Sequence, residues 1–235
     1  MNPVVDLSHI YNEILNNMNV TQEEINYELM HYAAGNIHEM QKDPDEKQKS
    51  WIDSIPYQGI TPQEIHIPNK KEYGSWSKQK RNWFTFFNGA EYIWDYVMYL
   101  TEHESYVGRE KAAEFKQKVL NECPLLCEFI RKLPMDVFGR IIFLGVNPRQ
   151  PVYKHIDNRN TPLPECIVMN FGPHQKTLSI ENYNIKVRCA TLDERLPHKL
   201  DGGNKFTYTL RIDGKWNKEL SRALKNKSYY SFSSA

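Results

Sequence analysis

Arg140-Ile141-Ile142-Phe143-Leu144-Gly145-Val146 is short, β-branched and bounded by turn formers, so it reads as a buried strand. Similar runs follow at 165–171, 177–181, 186–191 and 206–212. Short strands punctuated by Gly, Pro and Asn predict a sandwich or barrel. Upstream of Pro134 the period changes. Leu7, Ile10, Ile14 and Met18 recur at threes and fours, as one helix face requires. Thr21-Gln22-Glu23-Glu24 is a capping box that opens a helix running toward Met40. Two more helices are expected over 90–102 and 108–123. Before them, 41–80 carries Pro44, Pro56, Pro62 and Pro68 and reads as irregular structure anchored by Trp51, Ile55, Tyr57 and Ile65. The expected organisation is one α+β domain. Residues 1–134 form a mainly helical support layer, 135–217 the β core, and 218–235 a polar tail that frays at its end.

The chemistry-bearing residues lie in the β half. Val152-Tyr153-Lys154-His155-Ile156-Asp157-Asn158 contains His-x-Asp, and residues two apart on a strand share a face, so imidazole and carboxylate can grip one ion. The best third ligand is His198, in Arg195-Leu196-Pro197-His198. The span between Asp157 and His198 leaves room for several short strands folding back. Two His and one carboxylate on one side of a metal leave positions open for substrate, a set that suits non-haem Fe(II). Further on, Thr207, Thr209 and Arg211 share one strand face, with Phe206, Tyr208, Leu210 and Ile212 on the other. Arg211, at the end of that polar row, is suited to hold a carboxylate by a two-pronged bond. Taken singly, Asp157 reads equally as a turn residue, His198 as a loop histidine, and Arg211 as half of a surface ion pair with Asp213. Their joint order along the chain favours the metal site.

At these residues the sequence resembles the 2-oxoglutarate- and Fe(II)-dependent oxygenases, most closely the aspartyl/asparaginyl β-hydroxylase-like group. The resemblance covers about a third of the chain, from Arg140 to Trp216, and includes Leu144-Gly145-Val146-Asn147-Pro148, His155-Ile156-Asp157-Asn158 and Thr191-Leu192-Asp193. It implies a double-stranded β-helix (jelly roll), with His155, Asp157 and His198 holding iron and Arg211 binding the distal carboxylate of 2-oxoglutarate. It implies a dioxygenase that hydroxylates a C–H of a peptide side chain or small molecule, consuming O2 and releasing succinate and CO2. Where some members carry a Ser two residues after the arginine, this chain has Asp213, which is expected to turn outward. The second Arg that members often place after His-x-Asp is lacking in 164–170, so Asn170 or Arg188 is expected to replace it, with Thr209 beside Arg211. Asn158 and Arg159 border the metal face and are candidates for substrate contact.

Two other readings remain: a cupin-like divalent-metal isomerase or binding protein that does not use 2-oxoglutarate, and a non-catalytic interaction domain. Composition bounds the partners. Thirty Lys+Arg against 29 Asp+Glu leave a net charge of +1, without the basic excess of a dedicated phosphate binder. Lys78, Lys80 and Arg81 among the aromatics Trp76, Trp83, Phe84, Phe86, Phe87, Tyr92, Trp94 and Tyr96 are the one hint of nucleic acid, and core packing explains them as well. The N-terminus shows no signal-peptide pattern, and no run approaches the roughly 18 apolar residues of a membrane span. Cys123, Cys127, Cys166 and Cys189 lack zinc spacing and read as reduced, buried thiols of a cytoplasmic protein.

Overall fold

A computed structural model of the protein describes residues 4–36, 96–102, 114–146, 148–149, 152–155, 165–175, 177–186, 188–193, 196–201 and 203–226. After strand β1 (Val4–Asp6), the Asp6 carboxylate accepts the Ser8 N–H at 2.7 Å where helix α1 (Ser8–Met18) begins. Helix α2 (Gln22–Gly35) opens on the expected capping box: Thr21 Oγ1 accepts the Glu24 N–H, and Glu24 returns a carboxylate to the Thr21 N–H. The rest of the region expected to be helical departs from the reading. Residues 96–99, placed in a helix over 90–102, form strand β2 (Tyr96–Tyr99), and of 108–123 the described helical part is α3 (Gln117–Glu122). Pro124 then starts α4 (Pro124–Arg131), where its missing N–H costs nothing.

The remaining elements are β3 (Met135–Val146), β4 (Val152–His155), β5 (Glu165–Met169), β6 (Leu178–Ile180), β7 (Tyr183–Ile185), β8 (Cys189–Leu192), β9 (His198–Leu200), β10 (Thr207–Trp216) and helix α5 (Lys218–Asn226). Residues 218–226 are therefore not the start of a polar tail. Leu220 and Leu224, one helical turn apart, are buried.

The expectation of a double-stranded β-helix is corrected by the ladders. The strands form two separate sheets, one ordered β1-β8-β5-β10-β3-β2 and the other β4-β9-β6-β7. Closure into a barrel requires end strands to pair so that no edge remains. Here β1 and β2 end the larger sheet, β4 and β7 end the smaller, and among the described residues no ladder joins the two. The architecture is α+β, with N-terminal helices and an open pair of sheets.

Both faces of the six-stranded sheet are covered. On one, Ile141, Phe143, Ile167, Met169, Tyr208, Leu210 and Ile212 pack with Tyr11, Ile25, Leu29, Phe129 and Ile130 of the helices. On the other, Val4, Val168 and Ala190 meet Leu178, Ile180, Ile185 and Leu200 of the four-stranded sheet. Val146 and Val152 add a second bridge with Leu200. No described helix is long and apolar enough to cross a membrane, and all four cysteines are free and buried.

Candidate functional site

The site is built from the face of each sheet that looks at the other. Pro197 precedes β9, whose His198 pairs in register with Ile180 of β6 and with His155 of β4. Register partners share a face, and Ile180 packs toward the larger sheet, so His198 points into the space between the sheets. It is 7% exposed. Its Nδ1 lies 3.0 Å from the Leu196 carbonyl, which can only accept, so Nδ1 carries a proton. A ring held through Nδ1–H has Nε2 as its ligating atom. His155, described as a backbone position, is the direct cross-strand neighbour of His198. Asp157, Asn158 and Arg159 lie outside the described residues. Among the described residues no group of three His, Cys, Asp or Glu side chains gathers.

Arg211 stands on the opposing sheet. It pairs with Ile142 on one side and Val168 on the other, so it shares their face and looks toward the smaller sheet. The expected division of β10 holds: Tyr208, Leu210 and Ile212 pack with the helices, and Arg211 takes the opposite face with 8% exposure. Thr209, half-buried and paired with Leu144, is the next position along that face.

Asp213 does not turn outward. It is 1% exposed, and Arg211 donates Nε–H to its Oδ1 at 2.8 Å. Its Oδ2 accepts from Arg140 Nε, also at 2.8 Å. The surface ion pair weighed from sequence is thus a buried bridge of one carboxylate and two guanidiniums. Burial pushes the Asp213 carboxyl well above the usual carboxylate range, and two charge-assisted bonds oppose that by favouring the ionised form. Sequence reasoning missed Arg140. Arg140, Ile142, Leu144 and Val146 alternate along one strand face, but nothing in that alternation marks Asp213 as the partner.

Asn170 and Arg188, the expected replacements for a second Arg, make backbone contacts. Asn170 Nδ2 donates to the Tyr208 carbonyl, while Asn170 Oδ1 is buried without a hydrogen-bond partner among the described residues. Arg188 Nη1 donates to the Gly172 carbonyl and, at 3.5 Å, to that of Asn170, bracing the chain after β5.

No family model and no curated protein matches the sequence. Solved structures give distant likenesses. A prolyl-4-hydroxylase of Pseudomonas putida aligns with 9% identity and a TM-score of 0.33, over 52% of this chain and 71% of that one. An oxidoreductase of the 2OG-Fe(II) oxygenase family from Burkholderia pseudomallei aligns with 9% identity and a TM-score of 0.35, over 50% and 66%. A Trichoplax adhaerens prolyl hydroxylase, solved with a hypoxia inducible factor peptide, aligns with 14% identity and a TM-score of 0.32, over 55% and 65%. The last two are spanned over less than two thirds of their own length. The similarity is distant, and it does not reach the aspartyl/asparaginyl hydroxylase group.

Proposed function

We propose that the protein is a 2-oxoglutarate-dependent non-haem Fe(II) dioxygenase that hydroxylates a C–H of a peptide side chain or small molecule. The observation that carries this reading is the pairing of His155 with His198 on one sheet while Arg211 is buried on the face of the other. The donor chemistry fits: His198, its Nδ1 against the Leu196 carbonyl, lies beside a second histidine in register. Asp157, two residues beyond His155, is the proposed third ligand. Fe(II) with 2-oxoglutarate and O2 supplies the oxidant for the C–H bond, with succinate and CO2 released.

The chain's own residues then bind, orient and exclude water. The Leu196 carbonyl holds the His198 ring through Nδ1. Asp213 holds Arg211 through Nε, and the Nη groups are proposed to make the two-pronged bond to the distal carboxylate of 2-oxoglutarate. Thr209, next along β10, and Asn170, just past the end of β5, are the proposed additional polar contacts. Ile142, Leu144, Val168 and Ile180 form apolar walls around this region, which strengthen a charged pair by keeping water away. Asn158 and Arg159, following Asp157, are proposed to touch the substrate.

The test is anaerobic melting of the Mn(II)-loaded protein with and without 2-oxoglutarate, followed by succinate assay with Fe(II) and O2. A rise in Tm that requires 2-oxoglutarate is expected, since binding to the native state alone stabilises by about 2.7 kcal/mol at a hundredfold excess over Kd. His155→Ala, Asp157→Ala and His198→Ala should each abolish succinate formation. Arg211→Lys should raise the 2-oxoglutarate requirement by roughly tenfold or more, because an ammonium cannot replace the planar fork. Melting unmoved by 2-oxoglutarate, together with no succinate, would remove this function.

A further inference from the structure

The bridge around Asp213 is built by an irregularity in the sheet. Between the pairs Ile212↔Ile141 and Gly214↔Phe138 the β10–β3 ladder slips, so that Gly139 and Arg140 lie against the single residue Asp213. This is a bulge on β3. It brings a second guanidinium to the carboxylate that already holds Arg211, and each carboxylate oxygen takes one Nε–H at 2.8 Å. Gly214 makes the close approach possible, since a Cβ there would lie against the Val137 carbonyl and 2.6 Å from Met135 Cε.

We infer that Asp213 and Arg140 are positioning residues for Arg211, a role that rests on Arg211 being the carboxylate anchor proposed above. A guanidinium is planar, and a bond to Nε fixes the rotation of the whole plane. Asp213 therefore decides where the paired Nη groups point. A carboxylate so close to a bound dicarboxylic acid would repel it if its charge were uncompensated. Arg140 supplies that compensation from the side away from Arg211. In this chain, Arg140 is the second arginine that acts on the anchor, and it does so through Asp213 rather than by touching the ligand.

Calorimetric titration of Mn(II)-loaded protein without oxygen tests this, using 2-oxoglutarate and, separately, pyruvate, a 2-oxo acid without a distal carboxylate. Asp213→Asn and Arg140→Met should each weaken 2-oxoglutarate by about tenfold and leave pyruvate unchanged. The double variant should lose little more than either single one, because the two groups act as one unit. Arg140→Lys, which keeps the charge, should recover part of the loss. Should Asp213→Asn fail to fold, Asp213→Glu, which keeps the charge but moves it, should show the same selective loss. Unchanged 2-oxoglutarate affinity in folded variants, or equal loss of both acids, would overturn the positioning role while leaving the oxygenase reading intact. Wild-type protein that binds neither acid would overturn both.

Discussion

Cys123 and Cys127 lie four residues apart where α3 meets α4, their thiols directed at the carbonyls of Glu28 and Val119 at 3.6 and 3.8 Å. Burial pushes Cys123 up to about 12, with the Glu28 charge adding to it, and Cys127 up to about 11. Thiolate is the reactive form, so neither is a nucleophile near neutrality. Native protein at pH 8 should resist iodoacetamide at both positions and label rapidly in denaturant, read by peptide mass. The same values set an alkaline limit. From the ordinary thiol value of 9.0 upward the unfolded chain loses these protons while the folded chain keeps them, so stability falls as pH rises toward 11 and 12. A Cys123→Ala, Cys127→Ala variant should show a flatter loss over that range in urea unfolding. At this scale much was legible. Buried thiols and the facing of Arg211 followed from residue type and alternation. The inward turn of Asp213 was not, because its partner Arg140 lies 73 positions away and the bulge that joins them leaves no mark on either residue.

Helix α2 owes its start to four residues, and Thr21→Ala should cost about 1 kcal/mol of unfolding free energy, since it removes an N-cap acceptor. Strand β10 is less forgiving. Gly214→Ala sets a methyl group against the Val137 backbone, which cannot rotate aside, and should cost about 3 kcal/mol or more by urea unfolding. The elements most visible in sequence were those whose signals are local: the capping box and the strands at 165–171 and 206–212, whose described cores are β5 and β10. Strand β2 was read as helix because its sequence leaves the period open, while the structure is decided by β3, which offers Gly145, Leu144, Phe143 and Ile142 as register partners. Helix α5 was read as tail because its apolar stripe amounts to little more than Leu220 and Leu224 in a polar segment.

Across the whole molecule, helices and larger sheet share one core: Tyr11, Phe129 and Phe171 have ring centroids 5.0 to 5.3 Å apart, and they come from α1, α4 and the chain after β5. Separately produced fragments 1–134 and 135–235 should therefore lack cooperative unfolding, each exposing half of that core, as circular dichroism melting would reveal. A separately melting 135–235 fragment would show instead that the helices are dispensable. The openness of the sheets was beyond sequence reading for a related reason. Strand composition reports that a residue is half-buried, not which distant strand it meets.

Strand β1 binds β8 through Val4↔Leu192, Val5↔Thr191 and Asp6↔Ala190, and the Leu7 N–H adds a bond of 2.8 Å to the Cys189 carbonyl. Strand β1 is thus synthesised long before β8, the strand that pairs with it. At roughly 5–20 residues per second, that delay is on the order of 10–40 s, during which the backbone groups of β1 lack their native partners on β8.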